Sequence, residues 1–282
     1  MQLLYGKPVA DRIHADIRKR ISRLTIQPKL AVVLVGNNPA SHLYVSLKEK
    51  EAAMDGIAFE KHLFAEGTSE DKILSIIAGL NENVSVHGIL VQLPLPGGLD
   101  TDRIIGAMDP DKDVDGFHAL NVAAFLAGEK TRIPVFPEAL MEILLSSEQP
   151  LEGQSAIMVV NSEHFGRVLL KAGADHGLVG RLIPSERLLT ETGMILDARV
   201  VMTACGMPNL ITENSILPNT ILIDGGIAKD ESGRTVGDVD AESMVHQTGF
   251  LAPVPGGVGP VTIACLLRKV VAIAEAKEKH PA

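Results

Sequence analysis

The chain has no tryptophan and only two tyrosines and seven phenylalanines in 282 residues, so aromatic side chains cannot dominate its cores. Aliphatic residues take their place. Hydrophobic residues reach 46% and charged residues 22%, a balance that excludes a disordered or fibrous chain. Cysteine is scarce too: Cys205 and Cys265 each sit in an apolar segment and read as small buried hydrophobes, which excludes a disulfide framework and fits a reducing compartment. Positive charge is in deficit. With a net charge of −9, a nucleic-acid backbone would be repelled, and the one basic cluster, "RIHADIRKR", has the apolar spacing of a solvated helix face. No apolar run approaches the ~20 residues of a membrane span, and the start shows no apolar signal core, so no membrane partner and a cytoplasmic location are expected. No period of about 20 to 50 residues repeats, which excludes a solenoid.

Helix and strand patterns alternate. A helix is expected to about Leu24, then a strand at "KLAVVLVG", whose continuous apolar run fits a parallel strand covered on both faces. "NNPASHLYVSLKEKEAAMDG" reads as a helix with Asn38 as N-cap, Pro39 in its first turn and Gly56 as its stop. "IAFEKHLF", "SEDKILSIIAGLNEN" and "VHGILVQLPLP" follow as strand, capped helix and strand. After the polar loop "DPDKDVDG" come "NVAAFLAGEK", the helix "PEALMEILLSS" and a linker, "SSEQPLEGQS". A second unit begins there, with strands "AIMVV", "RVVMTAC" and "TILIDGG", and the long amphipathic helix "GPVTIACLLRKVVAIAEAKEK" ends the chain. The pattern predicts two α/β domains, the second Rossmann-like: residues 1–146 with 262–282, and residues 147–261.

Several residues stand out chemically. Tyr44 and Lys48 are four apart and share a helix face. Gln92 is a polar residue in an apolar strand, where burial without a partner would cost about 1–3 kcal/mol, so it is expected to orient something. "DKDVDGF" lacks the offsets of a calcium loop, and no metal is expected; Asp115 is instead suited to accept paired N–H donors from a heterocycle, with an ordinary acidic turn as the alternative. "PVPGGVGPVT" places three glycines before a helix, leaving backbone N–H groups able to meet an anion or a planar edge.

Together "NNPASHLYVSLK", "GILVQLPLP", "DPDKDVDGFHALNV", "IDGGI…VGDVD" and "PVPGGVGPVTIA" resemble the methylenetetrahydrofolate dehydrogenase/methenyltetrahydrofolate cyclohydrolase family over nearly the whole chain. The resemblance implies Lys48 as central catalytic residue with Tyr44 beside it and Gln92 orienting it. It further implies Asp115 on the pterin ring, Pro255, Gly256 and Gly257 lining a folate cleft between the domains, a homodimer through the second domain, and a role in supplying purine biosynthesis.

One stretch departs from that family. The nucleotide loop resembles a shortened G-R-S-x-x-V-G-x-P but reads "NSEHFGRV", with a single glycine and an added carboxylate at Glu163. Ser162, Gly166 and Ser185 remain as cofactor-binding candidates, Glu186 falls where a 2′-phosphate would want a cation, and P-C-T-P-x-G has become "PVFPEA". The expected function is therefore a methenyltetrahydrofolate cyclohydrolase in which dehydrogenase use of NAD or NADP is doubtful and NADP especially disfavoured. The alternatives are a cyclohydrolase that has lost its dinucleotide site and a catalytically silent folate binder.

Overall fold

A computed structural model describes residues 1–190 and 195–279. The chain groups into two compact α/β units, Asp11–Val135 with Ile263–Ala282, and Met1–Ala10 with Phe136–Thr262; residues 280–282 lie outside the described residues. In chain order the elements are β1 (Gln2–Leu3), α1 (Gly6–Ile21), β2 (Lys29–Val35), α2 (Pro39–Asp55), β3 (Ala58–Phe64), α3 (Glu70–Glu82), β4 (Gly88–Val91), α4 (Thr101–Gly106), α5 (Ala119–Leu126) and α6 (Val135–Leu145). They continue with β5 (Ser155–Val160), α7 (Glu163–Ala174), β6 (Val179–Pro184), α8 (Ser185–Thr190), β7 (Val200–Ala204), β8 (Thr220–Asp224), β9 (Ala228–Lys229), β10 (Thr235–Val236), β11 (Gly249–Ala252) and α9 (Val258–Lys279).

The first unit is built on a parallel three-stranded sheet, β3-β2-β4. Its central strand β2 is apolar and buried along nearly its whole length, as a strand covered on both faces must be. Helix α3 lays Ile73, Ile77 and Leu80 onto that sheet at i, i+4, i+7 spacing, and burying such side chains contributes roughly 1.5–3 kcal/mol each.

The second unit carries a parallel six-stranded sheet in the order β1-β11-β8-β7-β5-β6, with the β9–β10 hairpin beside it. Strand order reverses around β5, which has β6 on one side and β7 on the other. In open α/β sheets such a reversal opens a crevice at the strands' carboxyl ends, where ligands bind.

The division differs from the expected one. Residues 1–10 and 136–146 group with the six-stranded unit because β1 pairs with β11, Gln2 opposite Phe250, and because α6 packs Phe136 and Leu140 against Gly225. Two-residue and four-residue strands such as β1 and β11 are too short to show a periodicity in sequence. Among the described residues no helix is long and apolar enough to cross a membrane.

Candidate active site

Helix α2 sets the first reactive side chain. The Asn38 side chain accepts from the amides of Ala40 and Ser41, and Gly56 closes the helix at φ 87°. Both caps stand where the sequence placed them. On the buried stripe formed by Ser41, Val45, Lys48, Ala52 and Asp55, Lys48 is the one ammonium, and a charge there must find partners. Its Nζ donates to Gln92 Oε1 at 2.8 Å. Gln92 lies just beyond the end of β4, its backbone N–H donating to Val33 O and its side-chain Nε2 to Leu93 O at 2.8 Å. That second bond fixes the amide so that its oxygen faces the lysine. Tyr44, one turn earlier on α2, is half-buried and is joined to Lys48 by no hydrogen bond.

The segment after Asp109 runs alongside β4, Ile89 N donating to Lys112 O at 2.7 Å, and delivers Asp115. Burial pushes the Asp115 carboxyl up to about 6, and the neighbouring Asp113 charge adds to the rise, while Lys48 and Lys269 oppose it. Lys48 is lowered by burial, with Asp115 holding it back. A lysine and a carboxyl that both titrate closer to neutrality than usual are groups suited to proton transfer.

The loop before α9 belongs to the six-stranded unit. Gly6 N donates to Gly256 O and Gly257 N to Pro253 O, each at 2.8 Å. A Cβ on Gly257 would fall 2.6 Å from Pro253 O, and one on Gly6 only 1.8 Å from Gly257 O, so Gly257 is buried to let two backbones meet. Pro255 and Gly256, at φ 101°, are the exposed part of the turn.

At the strand-order reversal, Ser162 caps α7 by accepting from Phe165 N at 3.3 Å, and stays exposed. Gly166 is buried: a Cβ there would lie 2.6 Å from Leu182 and 2.9 Å from Val160, so it lets helix and strands pack closely, the role of the third glycine in a dinucleotide fingerprint. Ser185 is also buried, hydrogen-bonded to the Cys205 thiol, which burial pushes up to about 12. Of the three sequence candidates, only Ser162 therefore presents its side chain to solvent. Asn161, where a glycine was expected, donates to Cys205 O at 3.1 Å and joins the ends of β5 and β7. Phe136 and Phe165 stack at 5.8 Å, so two departures from the family pattern pack against each other. Arg181 is paired with Asp197 at 2.5 Å, and Glu186 is exposed in the first turn of α8.

The segments "IDGGI" and "VGDVD" hold a pair of carboxylates whose use is not legible in the sequence. Asp224 accepts from the amides of Gly226, Asp238 and Val239, and Asp238 accepts from Cys205 N at 2.8 Å and Met207 N at 2.7 Å. A Cβ on Gly226 would strike Asp238, and one on Gly237 would strike Asp224. The readable signal was the presence in both segments of an aspartate beside glycine.

The family model for the tetrahydrofolate dehydrogenase/cyclohydrolase catalytic domain matches residues 4–115, and that for the NAD(P)-binding domain of the same family matches residues 134–278. The second match runs through the altered loop, so the expectation of doubtful dinucleotide use is not supported; an NAD(P)-binding domain is present. The bifunctional protein FolD of Nitrosospira multiformis is 40% identical over 278 residues, spanning 97% of this chain and 96% of its own. The solved FolD methylenetetrahydrofolate dehydrogenase/cyclohydrolase of Campylobacter jejuni superposes with a TM-score of 0.93 at 36% identity, covering 98% of this chain and 99% of that one. The Trypanosoma brucei methylenetetrahydrofolate dehydrogenase-cyclohydrolase, solved with NADP cofactor and inhibitor, gives a TM-score of 0.91 at 26% identity over 97% of each chain. With both halves matched in order, the chain belongs to the tetrahydrofolate dehydrogenase/cyclohydrolase family, enzymes of one-carbon folate metabolism that join an oxidoreductase to a hydrolase.

Proposed function

We propose that this chain hydrolyses methenyltetrahydrofolate with Lys48 as general base, Gln92 orienting it, Tyr44 beside it and Asp115 anchoring the pterin ring. The observation that carries the reading is the buried Lys48 ammonium held 2.8 Å from Gln92 Oε1 in the field of Asp115. Water attacking the methenyl carbon must lose a proton, and a lysine whose charged form is disfavoured by burial and by a bound cation can take it. Arginine could not do so, since it stays charged. Asp115 ionised accepts two N–H bonds from the ring edge; Pro255, Gly256 and Gly257, in the turn of the six-stranded unit, are further candidates for substrate binding.

NAD or NADP, when bound, supplies the hydride acceptor for the dehydrogenase step. This chain's part is to hold it: Ser162 and the first turn of α7 stand at the strand-order reversal, and Gly166 keeps that helix close to the sheet. The NADP-complexed Trypanosoma brucei relative supports NADP as an acceptor here as well as NAD; Glu186, exposed in the first turn of α8, and Arg181, paired with Asp197, weaken the grip on a 2′-phosphate if that helix faces it. We extend the reading to a cytoplasmic homodimer through the six-stranded unit, which sedimentation checks.

The test is the decay of methenyl absorbance in a buffer of low background hydrolysis. Lys48→Met should slow it by about 10²- to 10⁴-fold. Equal rates for the two proteins would remove Lys48 from the chemistry.

A further inference from the structure

Asp115 projects from a turn whose internal wiring runs through the residue two before it. Asp113 is buried, and its two carboxylate oxygens accept three N–H groups: Gly116 N at 3.0 Å, His118 N at 2.8 Å and Asn121 Nδ2 at 3.0 Å. Those bonds span the chain on both sides of Asp115 and tie it to the first turn of α5. Gly116, at φ 79°, allows the turn to close, since a Cβ there would fall 2.8 Å from Pro134 Cα.

The outer parts of the segment have separate anchors. Lys112 Nζ donates to the carbonyls of Leu80, Asn81 and Asn83 at the end of α3, and Arg132 holds Pro110 O and Asn121 Oδ1. Asp113 is therefore the tie of the turn itself, while the segment as a whole is held by others. Both of its oxygens accept, which an amide with one acceptor oxygen cannot reproduce, and the same negative charge lies close enough to Asp115 to oppose its ionisation.

We propose that Asp113 is a positioning residue for Asp115: its buried carboxylate fixes the turn from which Asp115 reaches the folate ring and holds a second negative charge beside it. The inference rests on the reading of Asp115 as the folate anchor. Four charges act at this point, Lys48 from α2, Lys269 from α9, Asp113 from the turn, and Asp115 itself. Val135 N donates to Asp115 O and Lys269 Nζ donates to Ile133 O, while the Arg132 guanidinium reaches the outer part of the turn at Pro110, Asp111 and Asn121. Among these groups, Asp113 opposes the two lysines and keeps Asp115 from being locked as an ion.

Aspartate labelled with ¹³C at the side-chain carboxyl gives a readout independent of activity. The Asp115 resonance is assigned by its loss in Asp115→Asn and titrated in wild type and in Asp113→Asn. Removing the like charge should lower the Asp115 midpoint by about 0.5–1 pH unit, and folate affinity, measured by calorimetry, should fall about tenfold with little change in the rate of bound substrate. Asp113→Glu keeps the charge but cannot place both oxygens on the same amides; it should leave the midpoint in place and still lose affinity, and it serves if the Asn variant does not fold. An unmoved midpoint in a folded Asp113→Asn protein, or unchanged affinity in both variants with Asp115→Ala still binding poorly, would overturn the proposal. If Asp115→Ala itself binds folate normally, the failure lies instead with Asp115 as anchor.

Discussion

Both units are parallel α/β layers, yet they carry their candidate functional residues in opposite ways. In the three-stranded unit the residues are buried side chains that hold one another: Lys48 on Gln92, Asp113 on the turn of Asp115. In the six-stranded unit the loop residues Asn161 to His164 are exposed, and the interior is held by the close packing at Gly166 and by the buried carboxylates of Asp224 and Asp238, which accept backbone amides. Desolvated side chains do proton chemistry, so their identities cannot drift without losing the reaction. A pyrophosphate is gripped by helix-end amides, so loop side chains can change while the scaffold keeps its shape. At two positions that depart from the family pattern the side chains are held within the unit, Phe136 stacked on Phe165 and Asn161 bonded to Cys205 O.

The largest expected effect sharpens that contrast. Lys48→Met should abolish cyclohydrolase turnover yet leave NAD titration unchanged; a parallel loss of both would show that the two units do not divide the labour as described. Next, Asp115→Ala should weaken folate binding by about 1.5–3 kcal/mol, the worth of a charge-assisted pair, and calorimetry shows it directly.

The same carboxyl offers a stability test with a defined sign. Because its folded pKa, about 6, lies above the unfolded value near 4, ionising Asp115 costs stability at neutral pH, and the cost disappears as pH falls from about 6 to about 4. Asp115→Asn should therefore melt higher than wild type at pH 8 and equal to it near pH 4. A gap that persists in acid would place the strain elsewhere.

Gly166→Ala breaks the comparison from the other side. Its Cβ would meet Leu182 at 2.6 Å, so overpacking should destabilise the six-stranded unit by about 1–3 kcal/mol and weaken NAD binding, while methenyl hydrolysis continues in protein that remains folded. The smallest effect is specificity: Glu186→Arg should improve NADP relative to NAD by about threefold to tenfold, a surface-charge effect that shrinks as salt is raised. No change in the ratio would mean that α8 does not face the 2′ position.

The amino-acid sequence by itself determined the alternation of elements and the capped helix from Asn38 to Gly56, because periodicity and caps are local signals, while Tyr44, Lys48, Gln92 and Asp115 stood out as candidates through the family resemblance of the motifs that hold them. It also showed which loop residues differ from the family. Only the tertiary structure decided what those differences do. Gly166 and Ser185 looked like ligand contacts but are buried packing residues, Phe136 and Phe165 find each other across 29 positions of chain, and Asp224 and Asp238 brace loops 14 residues apart. The expected boundary at residue 146 moved to 135 for the same reason, since α6 packs Phe136 and Leu140 against Gly225, much further along the chain, as β1 finds β11 from its far end. Contacts of this kind depend on which surfaces the fold brings within a few ångströms, and neither spacing nor composition carries that distance.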